Sequence, residues 1–167
     1  GLLGWALGVY AEHEFSASTF TARVICSTLS DITSAVVGAI GALKGPLHGG
    51  ANTRVMQMLL EIERSGKEPV AWVRDALAAG KRVMGFGHRV YKVEDPRAIH
   101  LRRACKDLGA ALGDAQWYNL SQSIEQEMRT SKQLYPNVDF YSASTYYMMG
   151  IPMELYTALF AMSRMAG

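Results

Sequence analysis

Cysteine is scarce in this sequence, since Cys26 and Cys105 are the only two among 167 residues. One pair of cysteines cannot form the disulfide framework that small secreted domains need. Both cysteines lie in apolar runs with a helical pattern, so the sequence predicts two buried, reduced thiols. This usage favours a cytoplasmic or otherwise reducing compartment.

A long hydrophobic run is also missing. The longest apolar stretch, residues 35–43, contains two glycines and is far shorter than the roughly 20 residues that a membrane-spanning helix needs. Residues 1–10 are apolar, but no basic segment precedes them and no small-residue cleavage site follows, which argues against a signal peptide. The sequence starts without methionine and both ends lie in apolar periodic segments, so we expect it to be part of a longer protein.

Neither sign of charge is in large excess, because 17 lysines and arginines stand against 15 aspartates and glutamates. A net charge of +2 gives no reason to expect nucleic acid as a partner. Hydrophobic residues make up 49% and charged residues 19%, which excludes intrinsic disorder, and the length suits one domain. Paired histidines or cysteines at metal-ligand spacing and a Gly-x-Ser-x-Gly elbow are absent, so neither a metal site nor a serine nucleophile is supported.

Helix start and stop signals are abundant, and they predict an all-α fold of about eight helices. The apolar positions of residues 51–65 recur on one helical face, and Gly66 follows them. Asp95 and Pro96 form a helix start, and Gly113 ends that helix. Residues 81–93 have no helical period, so we expect at most one short β-hairpin there. The other predicted helices are residues 1–15, a helix from Ser16 or Ser18 to 29, a helix capped by Ser30 or Asp31 over 32–43, and residues 69–79, 114–131, 140–149 and 152–166.

Three of the four histidines lie in segments marked by glycine or serine. Among them, His48 precedes the first turn of the 51–65 helix, where the partial positive charge of a helix N-terminus disfavours imidazolium. A neutral imidazole there can donate a hydrogen bond to a carbonyl oxygen and stabilise an enolate, and the adjacent glycines would let a ligand approach closely. The alternative is a histidine that satisfies a buried helix end. The fourth histidine, His100, lies mid-helix and is expected to be solvated.

The segment GFGHRVYK, residues 85–92, combines a glycine pair with His88 and several cations. Arg89 and Lys92 lie within it, and Arg97 follows shortly after. Exposed glycine backbone beside three cations suits a polyanionic ligand, although a basic surface loop has the same composition.

Asp139 lies between two apolar residues in the segment NVDFYS, residues 137–142. An aspartate in such surroundings either caps the helix that follows or is a partly desolvated carboxylate that removes a proton from a substrate. The two roles do not exclude each other.

Four distinctive segments occur along the chain: HEFSAST (13–19), GPLHGGAN (45–52), GFGHRVYKVEDPR (85–97) and VDFYS (138–142). Together they resemble the citrate synthase family, specifically its bacterial type. Members of this family condense acetyl-CoA with oxaloacetate to give citrate and CoA, with no metal or other cofactor and with acetyl-CoA as a substrate. The resemblance implies a citrate-synthase-like helical fold and an acyltransferase activity.

The resemblance implies catalytic roles for His48, His88 and Asp139. Asp139 would remove a methyl proton from the thioester, and His48 would hydrogen-bond the thioester carbonyl and stabilise the enolate. His88 would polarise the ketone of oxaloacetate and supply a proton as the alcohol forms. Because a thioester methyl group is a very weak acid, the base works only if the enolate oxygen is stabilised at the same moment. We therefore expect these three side chains to converge on one cleft.

Two sets of binding residues are implied in the same way. The residues expected to hold the carboxylates of oxaloacetate are His13, Arg97 and Arg164. Those expected to bind CoA are Gly85, Phe86, Gly87 and Lys92. Family members usually carry asparagine where this chain has Ser16, so a hydrogen bond near His13 is expected to differ.

The resemblance also divides the chain. It assigns residues 1–49 and 151–167 to helices of a large domain and residues 50–150 to a small domain. Residues 32–43, whose small side chains predict burial, resemble helices of the dimer interface. The full-length protein is therefore expected to be a homodimer that binds oxaloacetate and acetyl-CoA, and neither nucleic acid nor membrane.

Two other functions stay open. The segment YAEHEF, residues 10–15, resembles 2-methylcitrate synthases, which use propionyl-CoA, whereas residues 45–48 resemble general bacterial citrate synthases. One methylene is worth only about 1–3 kcal/mol of discrimination, so a few pocket residues decide between them. The second alternative is a helical binding or assembly module without turnover in this truncated form. For the chain alone we expect folding, self-association and little turnover.

Overall fold

The computed structural model describes residues 1–88 and 90–167, and the described protein is all-α. This confirms the fold class predicted from the sequence. A short 3₁₀ helix, Met153–Leu155, precedes the last α-helix. The α-helices of the described residues are α1 (Leu2–Tyr10), α2 (Ala17–Ser27), α3 (Ile32–Leu43), α4 (Ala51–Ser65), α5 (Pro69–Ala78), α6 (Pro96–Leu112), α7 (Gln116–Lys132), α8 (Val138–Met148) and α9 (Tyr156–Arg164).

Most helix ends follow the capping residues predicted from the sequence. Ser16 and Asp31 cap α2 and α3 with side-chain oxygens that accept backbone N–H groups of the first turn. Asp95 caps α6, and Gly113 closes that helix in the left-handed conformation, with φ of 68°. Each side-chain acceptor satisfies one of the N–H groups that have no partner within the helix.

Helix α8 starts earlier than the sequence predicted, at Val138 instead of residue 140. Its capping residue is Asn137, whose Oδ1 accepts a hydrogen bond from the Asp139 N–H at 3.0 Å. Asp139 therefore lies in the first turn of α8 and does not cap it. An acidic side chain in the first turn is a common feature of helices, because it lies near the partial positive charge of the N-terminus.

The described part of residues 81–93 forms no strand, in agreement with an all-α fold. An isolated antiparallel bridge pairs Phe86 with Pro136, so the pairing partner lies in the turn before α8 and outside the predicted segment. Beside it, the Asn137 N–H donates to the carbonyl of Gly85 at 2.9 Å. The segment is thereby tied to the start of α8.

The chain folds into two compact units, which are described separately. The first unit comprises Gly1–Ala51 and Glu154–Gly167; in it α2 packs on α3, and α1 and α3 both contact α9. A Cβ at Gly38 would lie 2.3 Å from Cδ1 of Ile25, so glycine permits the close approach of α3 to α2. The buried apolar residues of this unit are Ala6, Tyr10, Ala35, Leu43, Tyr156 and Phe160.

The second unit is Asn52–Met153, with α8 at its centre. Helix α8 packs against α6 and α7, and its residues 140–146 are all buried. Helix α7 also packs against α5 and α6. As the periodicity predicted, Val55, Met58, Leu59 and Ile62 form the buried face of α4. The assignment of the two units to a large and a small domain stays a prediction.

One of the two cysteine predictions was wrong. Cys26 is exposed, because Ser18 is the only buried residue of α2 and the apolar run around Cys26 stays at the surface of this unit. Cys105 is buried in α6 as predicted, and burial raises the pKa of its thiol to about 11. Both cysteines are unpaired.

Helix α3 is less buried than its small residues predicted. Ala35 and Leu43 are buried, but Ile32 and Val37 are 78% and 63% exposed. Small residues allow close contact along one face of α3, and only this face is covered by other helices of the chain. The face that carries Ile32 and Val37 stays exposed. Among the described helices, none combines the length and hydropathy needed to cross a membrane.

Candidate active site

His48 lies in a tight turn between α3 and α4 that is rich in glycine. A Cβ on Gly49 would lie 2.7 Å from the carbonyl oxygen of Leu43, and a Cβ on Gly50 would lie 2.8 Å from that of Lys44. Real Cβ atoms do not approach a carbonyl oxygen so closely. Packing of the turn on itself thus requires both glycines, without the approach of a ligand that the sequence suggested as the reason.

The ring of His48 is held through Nε2. This atom accepts a hydrogen bond from the backbone N–H of Ser18 at 3.3 Å and lies 2.9 Å from the Ser18 hydroxyl. Because Nε2 is the acceptor, the proton of a neutral ring is on Nδ1. Burial, followed by the charges of Arg164 and His13, lowers the pKa of His48 below its ordinary value. His48 is therefore a neutral donor through Nδ1–H near pH 7.

Arg164 ends α9 and is buried within the first unit. Its Nε donates to the carbonyl of Tyr10 at 2.8 Å, its Nη1 donates to the hydroxyl of Ser16 at 2.9 Å, and its guanidinium lies over the ring of Phe160 at 4.9 Å. Ser16 thus both caps α2 and orients Arg164. His13 lies half-buried in the loop between α1 and α2.

His88 lies in the second unit and is held through its other ring nitrogen. Nδ1 accepts the backbone N–H groups of Val90 at 3.0 Å and Tyr91 at 3.2 Å, which leaves the proton of the neutral ring on Nε2. Nη2 of Arg97 lies 3.4 Å from Nε2, and the buried carboxylate of Asp95 binds Arg97 at two points, at 3.0 and 2.8 Å. Burial and the charge of Arg97 lower the pKa of His88, while Asp95 acts in the opposite direction.

The glycines before His88 have different structural reasons. Gly85 has φ of 85°, and a Cβ there would lie 2.8 Å from the ring of Phe140 and 2.9 Å from Val55. Gly87 has φ of 79°, and a Cβ there would meet only Leu134, at an ordinary contact distance of 3.8 Å, so only its backbone conformation favours glycine. Phe86, between them, is buried with its ring centroid 4.6 Å from that of Phe140.

Asp139 is joined to the His88 loop through Asn137. The side-chain amide of Asn137 donates to the carbonyl of Gly87 at 3.0 Å, while its Oδ1 caps α8 at the N–H of Asp139. One residue therefore fixes both the loop that carries His88 and the helix turn that carries Asp139. Burial, together with the negative charge of Asp139, raises the pKa of Tyr146 on the same helix.

A cleft of about 210 Å³ opens beside His88 in the second unit. Two of the residues predicted to bind CoA, Gly87 and Lys92, line it, whereas Gly85 and Phe86 are buried and are not among the lining residues. Arg89, the other cation predicted for this loop, lies outside the described residues. The remaining lining residues are Tyr91, Val93, Asp95, Gln133, Leu134, Tyr135 and Pro136.

The predicted site residues fall into two groups, one in each unit. His13, His48 and Arg164 lie in the first unit, and the residues between 85 and 97 lie in the second unit with Asp139. Convergence of His48, His88 and Asp139 on one cleft stays a prediction.

His100 is exposed, as expected. In the part of the chain that the structure describes, no group of three or more histidine, cysteine or acidic residues is arranged to hold a metal ion.

The sequence did not single out Ser18 and Asn137, which hold His48 and the Asp139 turn in the structure. Ser18 was considered only as a helix cap, and its contact with His48 lies 30 positions away. Asn137 carried a usable signal, because asparagine is among the strongest N-cap residues and stands immediately before the predicted α8 motif.

Known proteins match almost the whole length of this chain. The family model described as "Citrate synthase, C-terminal domain" matches residues 2–167. The chain is 57% identical over 162 residues to a citrate synthase of Haloferax volcanii and 55% identical over 163 residues to citrate synthase 2 of Bacillus subtilis. It is 45% identical over 162 residues to 2-methylcitrate synthase 1 of Corynebacterium glutamicum. Each match covers 97% of this chain and 42–43% of the relative, so the chain spans less than half the length of these proteins.

Solved structures of citrate synthases are also similar to this chain. The citrate synthase of Thermotoga maritima matches 99% of this chain and 46% of its own with a TM-score of 0.89 at 44% identity. A ternary complex of carboxymethyl coenzyme A and oxaloacetate with citrate synthase from Thermoplasma acidophilum matches 99% of this chain and 45% of its own with a TM-score of 0.88 at 40% identity. The chain belongs to the citrate synthase family.

Proposed function

We propose that the protein containing this chain is a citrate synthase, which condenses acetyl-CoA with oxaloacetate and hydrolyses citryl-CoA to citrate and CoA. The observation that carries the proposal is the neutral His48, with Nε2 held by Ser18 and Nδ1–H as its donor. Thioester enolisation places negative charge on the carbonyl oxygen. A neutral imidazole can stabilise that charge by donating a hydrogen bond from Nδ1–H.

In the proposed reaction Asp139 removes a proton from the methyl carbon of acetyl-CoA. As that C–H bond breaks, the electron pair forms the enolate, and His48 donates Nδ1–H to its oxygen. The enolate carbon then attacks the ketone carbon of oxaloacetate, and Nε2–H of His88 supplies the proton to the ketone oxygen. Water subsequently adds to the thioester carbonyl of citryl-CoA and the C–S bond breaks, which releases citrate and the CoA thiol. Asp139 loses the methyl proton to solvent and His88 regains its Nε2 proton from water, so both side chains return to their starting states.

Substrate binding is proposed for residues of both units. His13, Arg97 and Arg164 would hold the carboxylates of oxaloacetate, for which arginine is suited by its fixed fork of donors. The two-point contact of Asp95 with Arg97 keeps that guanidinium oriented. Gly85, Phe86, Gly87 and Lys92 would form the CoA site, with Lys92 as a charge partner for phosphate and the buried Phe86 as support for the loop.

A second candidate is 2-methylcitrate synthase, with propionyl-CoA as the thioester. Relatives of that name share 45–46% of residues with this chain, and the difference of one methylene lies within the reach of a few pocket contacts. The higher identity to proteins named citrate synthase favours acetyl-CoA. The third candidate, a helical module without turnover, applies to the 167-residue chain by itself.

The proposal extends to partners and compartment. We infer a homodimer for the full-length protein, because the exposed apolar residues of α3, Ile32 and Val37, suit a helix interface. Two unpaired cysteines support a reducing compartment such as the cytoplasm.

The test is CoA release by the full-length protein, measured with oxaloacetate and either acetyl-CoA or propionyl-CoA. We expect release with acetyl-CoA to exceed release with propionyl-CoA in kcat/KM. The reverse order would assign 2-methylcitrate synthase activity. Absence of release with both thioesters, from a protein that is folded by circular dichroism, would contradict the proposal.

A further inference from the structure

A partly buried cluster of charged side chains lies in the second unit, and none of its members is assigned to a substrate. It joins α6, α7 and α8 to the residue that precedes the α6 cap. We define the Glu125 cluster by five residues. They are Glu94, Arg102, Glu125, Arg129 and Tyr141.

Glu125 is the centre of this cluster and both of its oxygens are used. Oε1 accepts from Nη2 of Arg102 at 2.6 Å and from Nε of Arg129 at 2.8 Å. Oε2 accepts from Nε of Arg102 at 2.9 Å and from the hydroxyl of Tyr141. Glu94 accepts from the same two arginines. Glu125 is only 6% exposed, and the two carboxylates balance the two guanidinium groups.

The ionisation states of the cluster are consistent with these hydrogen bonds. Burial and the neighbouring Glu125 raise the pKa of Tyr141, so its hydroxyl keeps its proton and donates. Burial by itself would raise the pKa of Glu94, but hydrogen bonds from Arg102 and Arg129 outweigh it and lower that pKa, so Glu94 stays ionised.

The two ends of the cluster lie next to two parts of the proposed site. Tyr141 follows Asp139 by two residues in the first turns of α8. Glu94 immediately precedes Asp95, the residue that caps α6 and grips Arg97. Rotation or sliding of α8 against α6 would therefore displace the proposed base relative to the proposed carboxylate-binding arginine.

Stability alone is a weak reason for such a cluster. The cost of removing charges from water largely offsets the attraction between them, and apolar side chains of similar volume are often as stabilising. Helices α6 and α8 already pack on each other, and each carries fully buried apolar residues, such as Leu101 on α6 and Phe140 on α8. Apolar contact is non-directional, whereas the hydrogen bonds of Glu125 fix direction and distance.

We propose that Glu125 is a positioning residue, which sets the first turn of α8 against the N-terminus of α6 through Tyr141, Arg102, Arg129 and Glu94. The inference rests on the proposed function, since it assigns Asp139 as the base and Arg97 as a substrate ligand. Glu125 touches no substrate and acts through the backbone segments that carry these residues. Small errors in the position of a reacting group are costly, because a displacement of about 1 Å can reduce a rate by about 100-fold.

The chain offers a matched control on the same helix. Glu127 follows Glu125 by two residues on α7, is similarly buried, and binds Arg74 at two points, at 3.0 and 3.1 Å. Arg74 lies on α5, so this ion pair joins α7 to α5 and involves no residue of the proposed site. Glu127→Gln removes the same charge from the same helix with no link to α8.

The experiment compares Glu125→Gln and Tyr141→Phe with Glu127→Gln in the full-length protein. We expect both cluster variants to reduce kcat by about 10- to 100-fold. Tyr141→Phe should leave KM for oxaloacetate within about twofold, since it detaches only the α8 end. Glu127→Gln should keep normal kcat even if its melting temperature falls as much as that of Glu125→Gln.

Amide hydrogen exchange of residues 138–142 provides a readout that does not depend on turnover. We expect faster exchange there in Glu125→Gln and Tyr141→Phe, and no change in Glu127→Gln. Equal kcat in Glu125→Gln and Glu127→Gln, or unchanged exchange in both cluster variants, would overturn the inference. If Glu125→Gln does not fold, Tyr141→Phe decides the question, because it removes a single oxygen. An inactive unaltered protein would refute the proposed function. The exchange result would still decide whether Glu125 positions the first turn of α8.

Discussion

The hydroxyl of Ser18 lies 2.9 Å from Nε2 of His48. The backbone N–H of Ser18 donates a hydrogen bond to the same nitrogen. The two contacts orient the imidazole from one side. Ser18 is buried in the first turn of α2, so its hydroxyl has a fixed position relative to the turn that carries His48. The tautomer required for an Nδ1–H donor is thus set by a residue of a different helix.

We expect Ser18→Ala to reduce kcat by up to about tenfold, because one neutral hydrogen bond contributes about 0.5–1.5 kcal/mol. The backbone N–H contact remains in this variant, so the loss is partial. Steady-state kinetics of the full-length protein measures it. Ser27→Ala on the same helix is the control, since the Ser27 hydroxyl donates to the carbonyl of Val24 on an exposed surface. A loss of equal size in both variants would contradict the proposed role of Ser18.

Asp139→Asn should reduce the condensation rate about 10²–10⁴-fold while oxaloacetate affinity stays nearly unchanged. The amide preserves the shape of the side chain but cannot accept the methyl proton. Rapid-quench kinetics gives the rate, and calorimetry gives the affinity. The exposed Asp75→Asn on α5 controls for the loss of one negative charge. Near-normal turnover by Asp139→Asn would assign the base to another residue.

The sequence predicted the starts of α2, α3 and α6, with two alternative caps for α2 and two for α3, because capping is local chemistry. Ser16, Asp31 and Asp95 each satisfy N–H groups within three residues, so the signal and its effect lie in the same short segment. The start of α8 was missed because Asn137 and Asp139 are both good capping residues and the pattern does not show which one caps. Burial of Cys26 was mispredicted because an apolar run does not reveal which side of a helix is covered.

The contacts of Ser18 and Glu125 could not be predicted from the sequence, because they join residues that are far apart in the chain. Ser18 and His48 are 30 positions apart, and only the folding of α2 against the rest of the first unit brings them into contact. Glu125 follows an amphipathic pattern in which a glutamate is usually solvated, and its burial depends on arginines from two helices. Such residues are identified by three-dimensional contacts and have no local motif.

Stability should depend on pH through His48, because its pKa is lowered from an ordinary value of 6.5 by burial and nearby positive charge. At high pH the ring is neutral in both states. As pH falls below about 6.5, His48 binds a proton more readily in the unfolded chain than in the folded one. The free energy of unfolding therefore decreases with falling pH until the pH reaches the pKa of His48 in the folded protein. We expect a smaller decrease in melting temperature between pH 7.5 and 5.5 for His48→Gln than for the unaltered protein. His100→Gln, at an exposed histidine of α6, is the control for the loss of one histidine. Equal pH dependence in all three proteins would refute this assignment.

Gly85→Ala should be more destabilising than Gly66→Ala by about 1–3 kcal/mol. Both glycines have positive φ, at 85° and 64°, so both substitutions cost backbone strain. Only at Gly85 would the new methyl group also lie within 3.0 Å of Phe140 and Val55, whereas Gly66 has open space. Chemical denaturation of the two variants measures the difference, which isolates the cost of overpacking. Equal destabilisation would show that the loop moves away from α8 without penalty.

The 167-residue chain by itself should associate in solution through α2 and α3. Large apolar side chains on these helices are exposed, including Phe20 at 54%, Ile32 at 78% and Val37 at 63%. Contiguous apolar surface of this kind usually marks an interface, because its exposure to water is unfavourable. Val37→Lys should therefore shift the mass towards a monomer, since a charge within such a contact would lose its hydration. Leu112→Lys, at a residue 56% exposed on α6, should leave the mass unchanged. Sedimentation equilibrium measures all three proteins at the same concentration. A monomeric unaltered chain, or an equal shift in both variants, would show that α2 and α3 do not drive association.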